Sequence, residues 1–162
     1  MRRWSRRLGL LAGLPLLFPL YAHASVQLTI DGVDDKLKAA LASSLELAQY
    51  ANREVSEAQV RRLYERAPDQ VQQALRPYGY YAAEAKGELK QNGKDWQVNL
   101  HVTPGEPVKV TSVEVRLDAA AAGLRPIQRA RRALERLKGQ PMDDGAYTAA
   151  RDGLSSALTA YG

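Results

Sequence analysis

Asn92-Gly93 lies between two stretches in which apolar and polar side chains alternate, and this arrangement restricts the possible folds more than any other feature of the sequence. Asn-Gly is a strong short-range hairpin signal, because a type I′ turn needs positive φ at both central residues. Before it, Tyr81, Ala83, Ala85, Gly87 and Leu89 share one face, and Ala82, Glu84, Lys86, Glu88 and Lys90 share the other. After it, Trp96, Val98, Leu100 and Val102 alternate with Gln97, Asn99 and His101. A period of two in both arms predicts an antiparallel pair with one face on a core and one in water. Other elements must cover the apolar face.

The preceding residues supply the cover. Val26, Leu28 and Ile30 alternate with Gln27, Thr29 and Asp31, the period of a half-buried strand, and Gly32 ends it. Asp34 and Asp35 open a helix whose Leu37, Ala40, Leu41, Ser44, Leu45 and Ala48 recur at three and four. Carboxylates suit the positive end of a helix dipole, so both Asp34/Asp35 and the later Asp143/Asp144 read as caps rather than as paired acid and base. Ser56 and Gln59 make a capping box for a second helical stretch, with Val60, Leu63, Tyr64, Ala67, Val71, Ala74, Leu75 and Tyr78 on its apolar face. Pro68 predicts a kink or break just before it, and Pro77 with Gly79 ends the helix. Of the three aromatics that follow, Tyr78 and Tyr81 are expected in the core and Tyr80 outside. The order is strand, helix, helix, strand, strand in about 80 residues. The expected fold class is α+β, a three-stranded sheet covered on one face by two helices.

Beyond Thr103-Pro104-Gly105-Glu106-Pro107, a turn-rich joint, the pattern restarts. Val108 to Val110 reads as linker or sheet edge, and Val113 to Leu117 as the first strand of a new unit. A helix follows with Ile127, Ala130, Leu134 and Leu137 on one face, closed by Gly139. A last helix carries Tyr147, Ala150, Leu154, Ala157, Leu158 and Tyr161. Ala74-Leu75-Arg76-Pro77-Tyr78-Gly79 and Ala157-Leu158-Thr159-Ala160-Tyr161-Gly162 share Ala-Leu-x-x-Tyr-Gly 83 residues apart, each ending a second helix. This is an internal repeat. Residues 25–104 are expected to be one complete domain and 105–162 a second copy lacking its last two strands.

The first 24 residues stand apart. Arg2, Arg3, Arg6 and Arg7 precede a 13-residue apolar run from Leu8 to Leu20, then Ala22-His23-Ala24 before Ser25. That is the layout of a cleavable signal peptide, with Ala22, Ala24 and Ser25 at the cut. The run falls short of the roughly 20 residues that span a bilayer, and Pro15 and Pro19 interrupt it. Ser5-Arg6-Arg7 also resembles a twin-arginine signal, but Gly9 stands where that motif favours an aromatic, so Sec export is the expected route.

Four of the 23 basic residues lie in this leader and all 18 acidic ones lie after it, leaving nineteen against eighteen, a net charge of +1. Nucleic-acid binding therefore loses the concentrated positive field it needs. Cysteine is absent, which excludes disulfides and thiolate chemistry. His101 is the one histidine after the leader, on the polar face of a strand, so a multi-histidine metal site is impossible and no catalytic constellation is apparent. No cofactor is expected. The Arg125, Arg129, Arg131, Arg132 and Arg136 set is the only local basic cluster, either a solvated helix face or a contact for anionic headgroups.

Val26-Gln27-Leu28-Thr29-Ile30-Asp31-Gly32, the helix end Tyr78-Gly79-Tyr80-Tyr81, and the joint Val102-Thr103-Pro104-Gly105-Glu106-Pro107-Val108 occur in this order. From Val26 to Gly162 the chain resembles the polypeptide-transport-associated (POTRA) domains of the outer-membrane assembly superfamily, above all the start of the TamA family. Arg76-Pro77 departs from that pattern, which puts the last turn of its helix in doubt. The resemblance implies a short periplasmic POTRA array, a C-terminal outer-membrane β-barrel, an inner-membrane-anchored TamB-like partner, and unfolded outer-membrane protein clients, autotransporters among them. It also implies a non-enzymatic scaffold whose exposed edge is the strand after the second helix, here Tyr81 to Lys90. Tyr81, Glu84, Lys86 and Glu88 are the candidate partner-binding residues, with protection of the edge against aggregation as the plainer role for the charges. Rival identities are a POTRA module of another exporter, of BamA or two-partner secretion type, and a free-standing periplasmic protein binding a lipid or small molecule.

Overall fold

The computed structural model describes residues 25–51 and 53–161, so the leader, with Ala22 and Ala24, lies outside the described residues. The chain forms β1 (Val26–Asp31), α1 (Asp35–Ser44), α2 (Glu46–Gln49), α3 (Glu57–Leu75), a 3-10 turn (Arg76–Tyr78), β2 (Glu84–Asn92) and β3 (Asp95–Thr103). The sheet order is β1-β3-β2, with β1 parallel and β2 antiparallel to β3. This is the α+β, strand-helix-helix-strand-strand arrangement with a three-stranded mixed sheet.

The period of two is what buries this sheet. Trp96, Val98, Leu100 and Val102 are all buried, and their cross-strand partners are Val26, Leu28 and Ile30 on β1 and Gln91, Leu89, Gly87 and Ala85 on β2. Leu37 and Leu41 of α1 join Val60, Leu63, Ala67, Val71 and Leu75 of α3 in the same core. The opposite sheet face carries polar side chains, among them Gln27, Thr29, Asp31, Gln97, Asn99 and His101.

Local signals set the ends of these elements. Asp34 accepts the Leu37 amide at 2.9 Å, and Ser56 accepts the Gln59 amide at 3.3 Å, so both predicted caps form. The helix expected to run from Asp35 through Ala48 instead breaks at Leu45, whose ψ of 128° is extended. The break turns Leu45 and Leu47 into the core together, both 0% exposed. At Pro68 the reverse holds: the expected break is absent and α3 runs unbroken for 19 residues. An interior proline costs about 3 kcal/mol. Keeping Val71 and Leu75 buried on the stripe begun by Leu63 and Ala67 returns about 1.5–3 kcal/mol each, which outweighs it.

The hairpin turn sits one residue later than Asn92-Gly93 predicts. Asn92 pairs with Asp95, leaving Gly93-Lys94 as the loop, and Gly93 has φ 65° while among the described residues no non-glycine residue has positive φ. That is the type II′ pattern, glycine at the first central position. Past Gly79, itself at φ 85°, Tyr80 turns inward against the core and Tyr81 is 53% exposed, the reverse of the expected placement.

The second unit holds α4 (Ala119–Ala122), α5 (Arg125–Glu135) and α6 (Asp144–Tyr161). Val113, Val115 and Leu117 face Ile127, Leu134 and Leu154, so the inner face is as the sequence indicates. They form no strand, however, because no neighbouring strand among the described residues offers a ladder. A single bridge between Lys109 and Pro141 is the only β-pairing there. The helix ends at Glu135, before Gly139, and Tyr147, expected on the apolar face of α6, is 44% exposed.

The two units meet at a tight joint. The Val108 amide donates to the Gly79 carbonyl (2.9 Å) and the Met142 amide to the Val108 carbonyl (2.7 Å). A Cβ on Gly79 would stand 3.0 Å from the Met142 carbonyl oxygen, so glycine is needed there for space as well as for φ. Lys36 of α1 donates to Asp143, which also caps α6 through the Ala146 amide at 2.9 Å, and its ammonium lies 5.2 Å from the Tyr78 ring centre. The hydrogen bond from Lys36, then that from Ala146, holds the Asp143 carboxyl below the usual range, and Asp143 in turn raises Lys36.

A carboxyl whose folded pKa is depressed adds stability above its unfolded value of about 3.9, lost as pH falls through the folded value. Asp143→Asn keeps the cap and removes the charge. Because Lys36 is largely exposed, the expected loss is under about 1 kcal/mol. In urea unfolding across a pH series, the gap between the two proteins should be flat above pH about 4 and close in stronger acid. A gap that persists in strong acid rules out the ion pair as its origin.

Candidate functional site

Because β3 takes the centre of the sheet, β2 is left at a margin. One side of β2 is bonded to β3 in nine register pairs, from Glu84 with Thr103 to Asn92 with Asp95, and among the described residues no strand lies on its other side. β1 forms the opposite margin. The two differ in what lies alongside: α3 runs beside β2, and Pro68, Asp69 and Gln72 of α3 face Ala83, Glu84, Ala85 and Lys86 across a groove of about 260 Å³.

Side chains from α3 fasten the groove at both ends. Gln72 donates to the Tyr81 carbonyl at 3.4 Å, and the Tyr64 hydroxyl donates to the Gly87 carbonyl. Between these points α3 makes no hydrogen bond to the Ala83–Lys86 backbone. Gly87 itself allows close pairing, since a Cβ there would lie 2.5 Å from the Asn99 carbonyl oxygen. An unpaired strand beside a groove can accept an extended polypeptide, with backbone bonds for affinity and the groove for alternate side chains.

Glu84, Lys86 and Glu88 are exposed, opposite Thr103, His101 and Asn99 on the open face of the sheet. Lys90 pairs with Glu88 and holds its carboxyl below the usual range, chiefly by a hydrogen bond. Tyr81 is separate from these three, lying before the strand begins. Asp69 and Gln72 have no sequence signal beyond their place beside the apolar stripe, and Pro68 signals only a kink; the packing of α3 on β2 brings all three to the groove. His101 pairs with Asp31 across the β1–β3 ladder, with two-thirds of its side chain exposed. Asp34 and Asp143 are engaged as caps.

Among the described residues there is no group of three metal-ligating side chains, and no helix is long and apolar enough to cross a membrane.

The chain is similar to the chain in the crystal structure of Haemophilus influenzae BamA POTRA3-5, at 15% identity and a TM-score of 0.35, over 83% of this chain and 49% of that one, and so spans about half of that relative's length. No curated protein matches it. Residues 27–104, from the second residue of β1 to just past β3, match the family model described as POTRA domain TamA domain 1. This segment holds the three-stranded sheet but for Val26, its covering helices and the free β2 margin, and it is a TamA-like POTRA region.

Proposed function

We propose that the chain is a periplasmic recruitment module of an outer-membrane assembly protein, working without chemistry of its own, and that the β2 margin takes up extended client segments. The observation that carries this reading is the unpaired strand beside the α3 groove. Backbone bonding along Ala83–Lys86 suits clients of many sequences, such as unfolded outer-membrane proteins and autotransporters. Residues 105–162 are read as a second copy of the unit, and a TamB-like protein anchored in the inner membrane and an outer-membrane β-barrel in the same protein complete the proposal.

Export by a leader cut between Ala24 and Ser25 agrees with the local structure. The Ser25 amide and hydroxyl both donate to Asp95, at 2.9 and 2.8 Å, and these bonds hold the Asp95 carboxyl below its usual range. Cleavage there turns that amide nitrogen into an ammonium already facing a carboxylate.

Photoreactive residues placed in cells at Tyr81, Glu84, Lys86 and Glu88 test the edge reading, with Arg62 and Gln73 on α3 as the comparison. Client adducts are expected at the β2 positions and few at α3. Adducts confined to the helical surface would refute augmentation at β2 while leaving the family assignment intact.

A further inference from the structure

We infer that α5 carries a docking ridge for the phosphate layer of an anionic phospholipid surface. Arg125, Arg129, Arg132 and Arg136 are spaced four, three and four apart, within about 60° of arc and along about 16 Å of helix. All four are exposed. Among the described residues none has a carboxylate partner; Arg136 Nε donates only to the Arg132 carbonyl, and nearby Glu135 is taken by Arg131 at 3.0 Å. Together with Gln128 and the Arg131-paired Glu135 they line a broad open depression of about 670 Å³, while Ile127 and Leu134 bury the opposite face of the helix.

The fold does not require this charge. If Ile127 is placed on Leu37, the first buried residue of each unit's first long helix, the four arginines fall on Asp35, Ala39, Ala42 and Glu46. Asp35, Ala39 and Ala42 lie on α1 and Glu46 opens α2, and none of the four is basic. The chemistry favours phosphate, because planar guanidinium forks bind phosphate oxygens in pairs. A protein partner would want a buried apolar or aromatic anchor at the centre of the patch. The lining has none, and Leu124, 36% exposed, stands at its end. A row of unpaired forks without an anchor fits a surface of repeated phosphates.

The test is cosedimentation of the purified chain with phosphatidylcholine vesicles, plain or with roughly one lipid in three replaced by phosphatidylglycerol. Each arginine near such a surface contributes about fivefold in affinity. Replacing all four by serine should weaken binding to the anionic vesicles several-hundred-fold, and replacing them by lysine only a few-fold. Binding should also collapse between about 0.1 M and about 1 M salt. If the fourfold serine variant does not fold, the four single Arg→Ser variants carry the test at about fivefold each. The inference is overturned if the chain ignores anionic vesicles, if the serine variants bind as well as the parent, if polyglutamate is bound more tightly than the vesicles, or if inorganic phosphate displaces the chain at equal phosphate concentration.

Discussion

Trp96→Ala is expected to cost the fold of residues 26–103 about 3–5 kcal/mol of stability. Trp96 is 4% exposed in β3, opposite Val26 on β1 and Gln91 on β2, with the Arg61 guanidinium 5.9 Å from its ring centre. Removing a buried tryptophan costs about 3–5 kcal/mol, in lost transfer energy and in the cavity left behind. A fold of about 80 residues has a total stability of about 4–12 kcal/mol, so the loss takes from about a quarter of it to all of it. Urea titration followed by far-ultraviolet circular dichroism measures this. A fall of less than 1 kcal/mol would mean that the ring is not the keystone its burial indicates.

Gly87→Val should cost nearly as much and strike the proposed client-binding edge directly. Its Cβ would be 2.5 Å from the Asn99 carbonyl oxygen and 2.7 Å from Leu100 Cδ2. The first of these is backbone and cannot swing aside, so β2 must lift from β3 at its centre. Overpacking of this kind costs about 1–3 kcal/mol, and disruption of the adjoining ladder adds to it. Amide hydrogen exchange should show protection lost across Glu84–Asn92 and kept in α3. Gly93→Ala makes the contrast: nothing lies within 4 Å of its added carbon, and its cost is only that of positive φ, about 1 kcal/mol. Equal effects at the two glycines would show that crowding at the sheet is not what Gly87 relieves.

The sequence was most legible where one physical pattern dominated. Trp96 to Val102 alternates cleanly because β3 is central and its inner side chains are fully covered, so period and burial agree. The α3 stripe was legible for the same reason. Pro68 was misread because a local rule about prolines met a tertiary stripe worth more than the broken turn. Tyr80 and Tyr81 were exchanged because Gly79 at φ 85° redirects the chain, and alternation cannot be extended through a left-handed residue. Val113 to Leu117 kept its inner face but not its strand, since a strand is defined by a neighbour and a side-chain pattern carries no information about one. Of the candidate site, Glu84, Lys86 and Glu88 could be found from their period. Asp69 and Gln72 could not, because their role arises from where one helix crosses one strand.

The place of β1 in the sheet has a kinetic consequence. β2 and β3 meet through a two-residue loop, whereas Val26 and Trp96 are 70 positions apart in the chain. Closing a loop of that length costs about 3 kcal/mol more entropy than closing the hairpin, so the hairpin and α3 are expected to assemble first and β1 to dock last. Substitutions in β1, as at Ile30, therefore fall mainly on the rate of unfolding, and those in the hairpin on the rate of folding.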